Sequence, residues 1–396
     1  MRRGASKVLR RYLLINPPGP RGTTVNREGA SGMGSVVPTA EGFLYPSATL
    51  ARMGALLRQA GRPVTVLDAP VERWTAAHTV VAAATLDPAW IGVWVSWCVQ
   101  ETDVEFLLRL RRRIDPGTPV VCFGHSLPFV DRDLLALVPG VRLLPGEPDL
   151  ALARWKDHLD ELPEPLSPAQ GGDEEVDPDD LPFPEWSLLK MNRFGAFTLL
   201  ASRGCPYHCL YCPYAIAEGH AVRRRQPQRV ADELAWGVEQ TGLRSVIFRD
   251  IVFGSDPDWT RALCEKIEQC RLGLEWECET RADTLTPLAL EAMHRAGCRR
   301  IKFGVETSDP DTLLRWRRVD NQEEADAYRD RFGAALSEAK RLGIASTAYV
   351  IKDVPGQGAH EHEETLAWVQ SLKSDRIVEK SYEWYPGTPF FAGNDC

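Results

Sequence analysis

No stretch of this chain approaches the roughly 20 consecutive apolar residues that a membrane-spanning helix needs. The first apolar run, Tyr12 to Ile15, follows a basic start but is too short for a signal peptide. Basic excess is missing as well. The chain has 47 Lys and Arg against 55 Asp and Glu, a net charge of −8, so nucleic acid has no electrostatic claim on it. Internal repeats and low-complexity tracts are absent, and no Ser/His/Asp set or carboxylate pair stands out for acid–base or nucleophilic catalysis. These absences point to a cytoplasmic globular protein that acts on a small molecule, with neither nucleic acid nor membrane as partner.

Cysteine is plentiful, but most of it has no pattern. Seven of the ten, at 98, 122, 264, 270, 278, 298 and 396, are scattered without ligand spacing. In a reducing compartment these are expected to be buried thiols serving as small hydrophobes. The remaining three lie within eight residues of one another.

At 396 residues the chain can hold two domains. Strand candidates Tyr12–Ile15, Val64–Leu67, Trp90–Ser96, Val120–Phe123 and Val141–Leu144 alternate with helical spacing over Ser47–Gly61, Val104–Ile114 and Asp133–Val138. That alternation predicts a doubly wound, Rossmann-like parallel sheet over residues 1–155, with its ligand loops at the carboxyl ends of the strands. Residues 156–187 form a Pro/acidic linker whose Leu181-Pro-Phe-Pro-Glu-Trp186 has apolar anchors able to dock. From 188 to 396 six further β/α units predict a partial (β/α)6 barrel. Its strands are Ala196–Ser202, Ser245–Phe248, Glu275–Cys278, Arg300–Gly304, Ala345–Ile351 and Ile377–Glu383, and chemistry belongs on the loops at their C-terminal ends.

Directly after the first of these strands comes Ala201-Ser-Arg-Gly-Cys205-Pro-Tyr-His-Cys209-Leu-Tyr-Cys212-Pro-Tyr. Three thiolates spaced C-x3-C-x2-C suit three corners of a cubane iron–sulfur cluster and leave the fourth iron open. The alternatives are a zinc knuckle with His208, which would be strained because His208 lies between two ligands, and inert packing. His360 and His362 with Glu361, Glu363 and Glu364 imitate a metal cluster but read as a solvated helix start.

The cysteine loop resembles that of the radical S-adenosylmethionine (SAM) superfamily, and the resemblance extends over Ala196–Pro389. It is carried also by Val246-Ile-Phe-Arg-Asp-Ile-Val-Phe253, Trp276-Glu-Cys-Glu-Thr-Arg281, Ile301-Lys-Phe-Gly-Val-Glu306 and Tyr385-Pro-Gly-Thr-Pro389. It implies a [4Fe–4S] cluster on Cys205, Cys209 and Cys212 whose open iron is chelated by SAM. It also implies SAM contacts from Tyr211, Asp250, Arg281, Glu306 and Thr307. An ion pair between Arg281 and Glu306 is the competing reading. The chain departs from the family at Lys352-Asp-Val-Pro-Gly-Gln357, where Gly-x-Pro-Gly-Glu is usual.

Ahead of the barrel, Asn16-Pro-Pro, Tyr45-Pro-Ser, Val64-Thr-Val-Leu-Asp68, Gly92-Val-Trp-Val-Ser96, Val120-Val-Cys-Phe-Gly-His125 and Gly146-Glu147 resemble the cobalamin domain of B12-dependent radical SAM enzymes. Pro17, Ser96, Trp97, Gln100, Gly124, His125, Ser126, Gly146 and Glu147 are the implied cobalamin contacts. The Asp-x-His-x-x-Gly cobalt-ligand pattern is missing, and His125 is read as lining the corrin edge. The resemblance implies methyl transfer from methylcobalamin to an unactivated carbon of a small natural-product precursor. The route is SAM cleavage to a 5′-deoxyadenosyl radical, with an electron donor such as flavodoxin or ferredoxin. The alternatives are B12-dependent rearrangement, cyclisation, ring contraction or oxidation, or a non-catalytic subunit. Relatives often carry a further C-terminal domain, so a partner chain, self-association or a large substrate is expected in its place.

Overall fold

The computed structural model describes residues 10–29, 33–40, 43–156 and 176–391. The chain divides into two compact units, Met1–Gly195 and Ala196–Cys396, and both are α/β as the alternation predicts.

In the first unit the elements run in order from β1 (Tyr12–Asn16), through β2 (Thr23–Asn26) and β3 (Ser35–Pro38), to α1 (Ala48–Gln59) and β4 (Val64–Asp68). Two helices follow, α2 (Ala69–Glu72) and α3 (Ala76–Thr85), then β5 (Trp90–Trp94), α4 (Gln100–Arg111) and β6 (Val120–Phe123). The unit continues with α5 (Arg132–Ala136), β7 (Val141–Leu143) and α6 (Pro148–Trp155). Five strands form one parallel sheet in the order β4-β1-β5-β6-β7. Alternate residues of β1 enter two different cores, Leu13 and Ile15 on one face and Tyr12 and Leu14 on the other. Such two-faced burial is why these strands read as continuous apolar runs. The chain reverses direction across the sheet between β1 and β5, which makes the space beyond Asn16 and Trp94 the topological switch point.

A buried polar network ties the loops at that point together. Arg27 lies on the loop between the short antiparallel strands β2 and β3, a hairpin that the sequence pattern does not announce. Its guanidinium pairs with Asp103 of α4 and donates to Asn16 Oδ1 at 2.9 Å and to the Pro17 carbonyl at 2.6 Å. Asn16 in turn donates to Asp68 (2.9 Å), and Asp103 accepts the Ser96 N–H (2.8 Å). Arg27 and Asp103 are almost wholly buried. The segment after the linker docks as its apolar anchors suggest. Leu181 and Trp186 are buried, and Glu185 N donates to Ala51 O of α1 (3.1 Å). Gly54 of α1 leaves the space that Leu188 fills, since a Cβ there would come within 2.1 Å of Leu188. Linker residues 157–175 and Cys396 lie outside the described residues.

The second unit begins with β8 (Phe197–Leu199) and a short antiparallel ribbon of β9 (Ser202–Arg203) and β10 (Arg223–Arg224), with α7 (Tyr214–Glu218) between them. Then α8 (Pro227–Thr241), β11 (Ser245–Phe248), α9 (Pro257–Cys270), β12 (Glu275–Thr280), α10 (Pro287–Arg295) and β13 (Cys298–Glu306) follow. The last elements are α11 (Pro310–Arg315), α12 (Gln322–Arg341), β14 (Ala345–Lys352), α13 (Ala359–Ser371) and β15 (Arg376–Ser381). Six parallel strands lie in sequential order from β8 to β15, an open partial barrel. Helix starts follow local rules. Asp256, Thr286 and Asp309 accept N–H groups of the next turn, each with a proline at the following position.

Burial raises the Asp68 and Asp103 carboxyls to about 6, above the ordinary aspartate value of 3.8, against the pull of their hydrogen bonds and of Arg27. A carboxyl whose folded value is raised stabilises the fold fully below its unfolded value and loses that contribution as pH rises through about 6. Native stability in urea is therefore expected to increase as pH falls from 7 to 5. Asp68→Asn should flatten part of that slope. Arg27→Met, which strands Asp103, should cost about 3–5 kcal/mol of first-unit stability at pH 7.

Candidate functional site

The cysteine loop leaves β8 through a clamp. Asp250, at the carboxyl end of the neighbouring β11, is buried and accepts Ala201 N (3.0 Å), Ser202 N (2.5 Å) and Ser202 Oγ (2.6 Å). Gly204 follows at φ 84°, and a Cβ on it would stand 2.2 Å from the Ala221 carbonyl. Its N–H donates to Glu218 Oε2 (3.0 Å), while Cys205 N donates to Gly219 O (3.1 Å). Farther along, Leu210 N reaches Trp316 O (3.0 Å). The loop is therefore held at its root, its middle and its return before any metal is considered.

The three thiols line one cavity of ≈ 280 Å³, with His208, His220 and Gly387 among its walls. The His208 and His220 rings stack on each other with centroids 4.1 Å apart, so His208 packs on a neighbour within the protein. Among the described residues no three His, Cys, Asp or Glu side chains converge on a single-ion site. A cubane takes one thiolate on each of three irons, which this loop can supply, whereas a lone zinc ion needs a fourth ligand at the same centre. Burial pushes the Cys205 thiol up, only partly offset by the Tyr207 backbone N–H, and it does the same to Cys212. Metal uptake must then release protons.

Beside the thiols stands a charged wall. Arg281, just beyond β12, is buried and forks onto Asp283 at 3.0 and 2.5 Å, so its ion pair is with Asp283 rather than with Glu306. It also donates to Arg318 O (2.8 Å), and its guanidinium lies 3.8 Å from the ring centre of Tyr207 in the cysteine loop. Arg318 donates to Gly304 O (2.5 Å). Glu306 ends β13 at φ 66°, a left-handed backbone that non-glycine residues seldom adopt. Burial raises its carboxyl, with Arg318 and Arg281 pulling the other way. Tyr211 packs edge-on against Trp316 at 5.6 Å. Buried Arg281 Nη1, Arg318 Nε and Tyr211 Oη have no hydrogen-bond partner among the described residues. Orphaned polar atoms clustered at one place mark a site built for a polar ligand.

The other expected SAM residues are placed differently. Asp250 spends its carboxylate on the loop root. Thr307 turns away, its Oγ1 accepting Asp309 N (3.2 Å) and lying 3.4 Å from the Thr365 hydroxyl. The unusual turn at Lys352–Gln357 closes on itself, with Gln357 donating to Ile351 O (3.2 Å) while buried Val354 packs with Tyr211. His360 is exposed, as a solvated helix start would have it, whereas His362 is largely covered and meets Glu379 of β15 (2.9 Å), and Glu361 accepts Gly358 N. Arg318, Tyr207 and Asp283 were not legible as site residues. Nothing in Arg315-Trp-Arg-Arg318 singles out one arginine.

In the first unit the expected cobalamin residues gather at the carboxyl ends of the sheet. Pro17 follows β1, Ser96, Trp97 and Gln100 follow β5, Gly124, His125 and Ser126 follow β6, and Gly146 and Glu147 follow β7. Trp97 N donates to Ser126 Oγ (3.1 Å), and Asp131 N to Gln100 Oε1 (2.9 Å). Gly124 lets these loops approach, because a Cβ would lie 2.3 Å from Val95 O. His125 is buried near Trp94, and the fully buried Ser96 Oγ has no hydrogen-bond partner among the described residues.

Residues 199–369 match the sequence profile of the radical SAM superfamily. An uncharacterised methyltransferase of Pyrococcus horikoshii is 23% identical to the chain, over 89% of it and 79% of the relative. The anaerobic magnesium-protoporphyrin IX monomethyl ester cyclase of Synechocystis is 26% identical over 76% of the chain, which spans 62% of that relative. Among solved structures, the radical SAM methyltransferase TsrM from Kitasatospora setae, with cobalamin and [4Fe–4S] cluster bound, aligns at TM-score 0.73. Identity there is 17%, over 96% of this chain and 74% of TsrM. The second unit thus carries a match to the radical SAM superfamily over residues 199–369. At 17% identity the likeness to TsrM is one of fold.

A Cβ at position 204 would collide with backbone. Gly204→Ala is therefore expected to hold less than half the iron per chain of the native protein after anaerobic reconstitution, with far-ultraviolet circular dichroism unchanged.

Proposed function

We propose that the chain is a cobalamin-dependent radical SAM C-methyltransferase acting on an unactivated carbon of a small natural-product precursor. The observation that carries the reading is the three-thiol cavity set against the orphaned polar wall of Arg281, Arg318 and Tyr211. Cys205, Cys209 and Cys212 hold a [4Fe–4S] cluster, and SAM occupies the space beside it. Arg281 and Arg318 would receive SAM's carboxylate, Glu306 would accept from its amino group, and Tyr211 would lie against the adenine. In the first unit Pro17, Ser96, Trp97, Gln100, Gly124, His125, Ser126, Gly146 and Glu147 border the cobalamin, with Ser96 Oγ supplying a buried hydrogen-bonding group. When bound, the cluster supplies the electron that cleaves SAM and the cobalamin carries the methyl group. The chain's own residues orient these groups and keep water away from them.

Asp250 takes the role of positioning the loop rather than touching SAM, because its carboxylate already accepts three hydrogen bonds. The enzyme works in the cytoplasm with a small electron-transfer protein such as flavodoxin or ferredoxin. A second reading, radical cyclisation or oxidation without methyl transfer, is favoured by the cyclase among the relatives.

Anaerobically reconstituted, reduced protein with methyl-deuterated SAM and hydroxocobalamin should yield deuterated methylcobalamin and S-adenosylhomocysteine by mass spectrometry. Bound cobalamin that stays unlabelled while 5′-deoxyadenosine accumulates would favour the second reading. Protein that binds no cobalamin would overturn the assignment of the first unit. Cys205→Ala should abolish 5′-deoxyadenosine formation, and Arg281→Met should raise the KM for SAM at least tenfold.

A further inference from the structure

The interior of the second unit's barrel is charged. On β12 the side chains of Trp276, Cys278 and Thr280 are buried toward the helices, while Glu277 and Glu279 alternate with them and pair across the inner face with β13. Lys302 stands 2.7 Å from Glu277 and 3.6 Å from Glu279, Arg300 stands 3.0 Å from Glu277, and Arg249 stands 3.8 Å from Glu279. The inner layers of parallel barrels are normally filled by branched apolar side chains. A ladder of ion pairs there is poor packing and weak support for stability.

The ladder is saturated at one end and open at the other. Glu277 accepts from both Lys302 and Arg300. Glu279 makes no side-chain hydrogen bond among the described residues, its two cations lie beyond hydrogen-bond range, and about a third of its side chain is exposed. The Glu279 carbonyl accepts Phe253 N (3.0 Å) in the loop after β11, the same loop whose Asp250 holds Ala201 and Ser202 at the root of the cysteine loop, which brings this open end near that loop. The wall that fits SAM, formed by Arg281, Arg318 and Glu306, is a separate set. Between the two lies Gly304, where a Cβ would stand 2.5 Å from Glu306 Oε1 and 3.4 Å from Arg318.

We propose that Glu279 is the substrate's anchor and that the substrate is a polar small molecule bearing a protonated amine, which donates to Glu279 beside Arg249 and Lys302. The inference rests on the radical SAM reading of the same barrel. A hydrocarbon-like acceptor is unsuited to the site, because it would cover the Glu279 carboxylate without giving it a hydrogen-bond donor. Glu279 acts by binding and not as a catalytic residue.

The test uses the reconstituted holoenzyme with SAM, dithionite and a metabolite extract of the source cells. The extract is split into a lipid fraction, an aqueous fraction retained on a cation exchanger, and an aqueous fraction that is not retained. The cation-retained fraction should raise 5′-deoxyadenosine formation at least tenfold. Glu279→Gln should need at least tenfold more of that fraction for half-maximal effect at unchanged iron content, and Glu279→Asp should restore much of the loss. Stimulation by the lipid or the unretained fraction, stimulation by none, or full response in Glu279→Gln overturns the proposal. A native holoenzyme with no cluster and no SAM cleavage in any mixture fails earlier and overturns the radical SAM reading itself.

Discussion

The carboxylate of Asp250 bridges two strand ends, and the geometry of the second unit's site follows from it. A loop carrying three thiols has no preferred shape of its own, because its Pro, Gly and Cys residues form neither helix nor strand. By accepting Ala201 N, Ser202 N and Ser202 Oγ, Asp250 satisfies the backbone where β8 ends and fixes the direction in which the chain leaves the sheet. Gly204 then makes a turn no other residue could make without striking Ala221, and Glu218 and Gly219 catch the next two N–H groups. Burial holds the Asp250 carboxyl at about 6, so this clamp itself titrates near neutrality, kept from rising farther by the hydrogen bonds it accepts.

Electrostatics divides the labour around that loop. Arg281 presses on Tyr207 and is balanced by Asp283, whose carboxyl is driven up by burial but pulled below the usual carboxylate range by the arginine. That pairing fixes one face of the guanidinium and leaves Nη1 unspent. Across Gly304 the ladder from Glu277 to Glu279 repeats the arrangement with the opposite sign at its open end. Buried charges that satisfy one another only in part are costly. The arginine wall leaves its unsatisfied atoms, Arg281 Nη1 and Arg318 Nε, beside that loop, which is where a ligand's polar groups would offset the cost.

Much of this was legible along the chain. The β1 and β5–β7 runs are apolar because both faces of the first sheet are covered. The cysteine spacing is readable because the ligands share one loop. Short elements were less legible. The β2–β3 hairpin has four-residue strands without alternation, and α3 is an alanine-rich helix whose apolar stripe is weak. The expected strand Ala196–Ser202 is in fact β8 and then the separate β9, parted at the residues that Asp250 holds.

Sequence alone determined what depends on neighbours within a few residues: the two-domain α/β order, the three-thiol loop, the helix caps, and the apolar anchors Leu181 and Trp186. Tertiary structure decided everything that needs a partner far along the chain. Arg27 gains meaning only against Asp103, Arg281 only against Asp283 and Tyr207 together, and Glu279 only against Lys302 on the next strand. Asp250 and Thr307 look like ligand contacts in a motif, yet their hydrogen bonds go to the protein itself. The physical reason is that a side chain's chemistry is set by which of its bonding positions remain open after folding. That remainder is fixed by strand register and loop placement, which bring together residues tens to hundreds of positions apart.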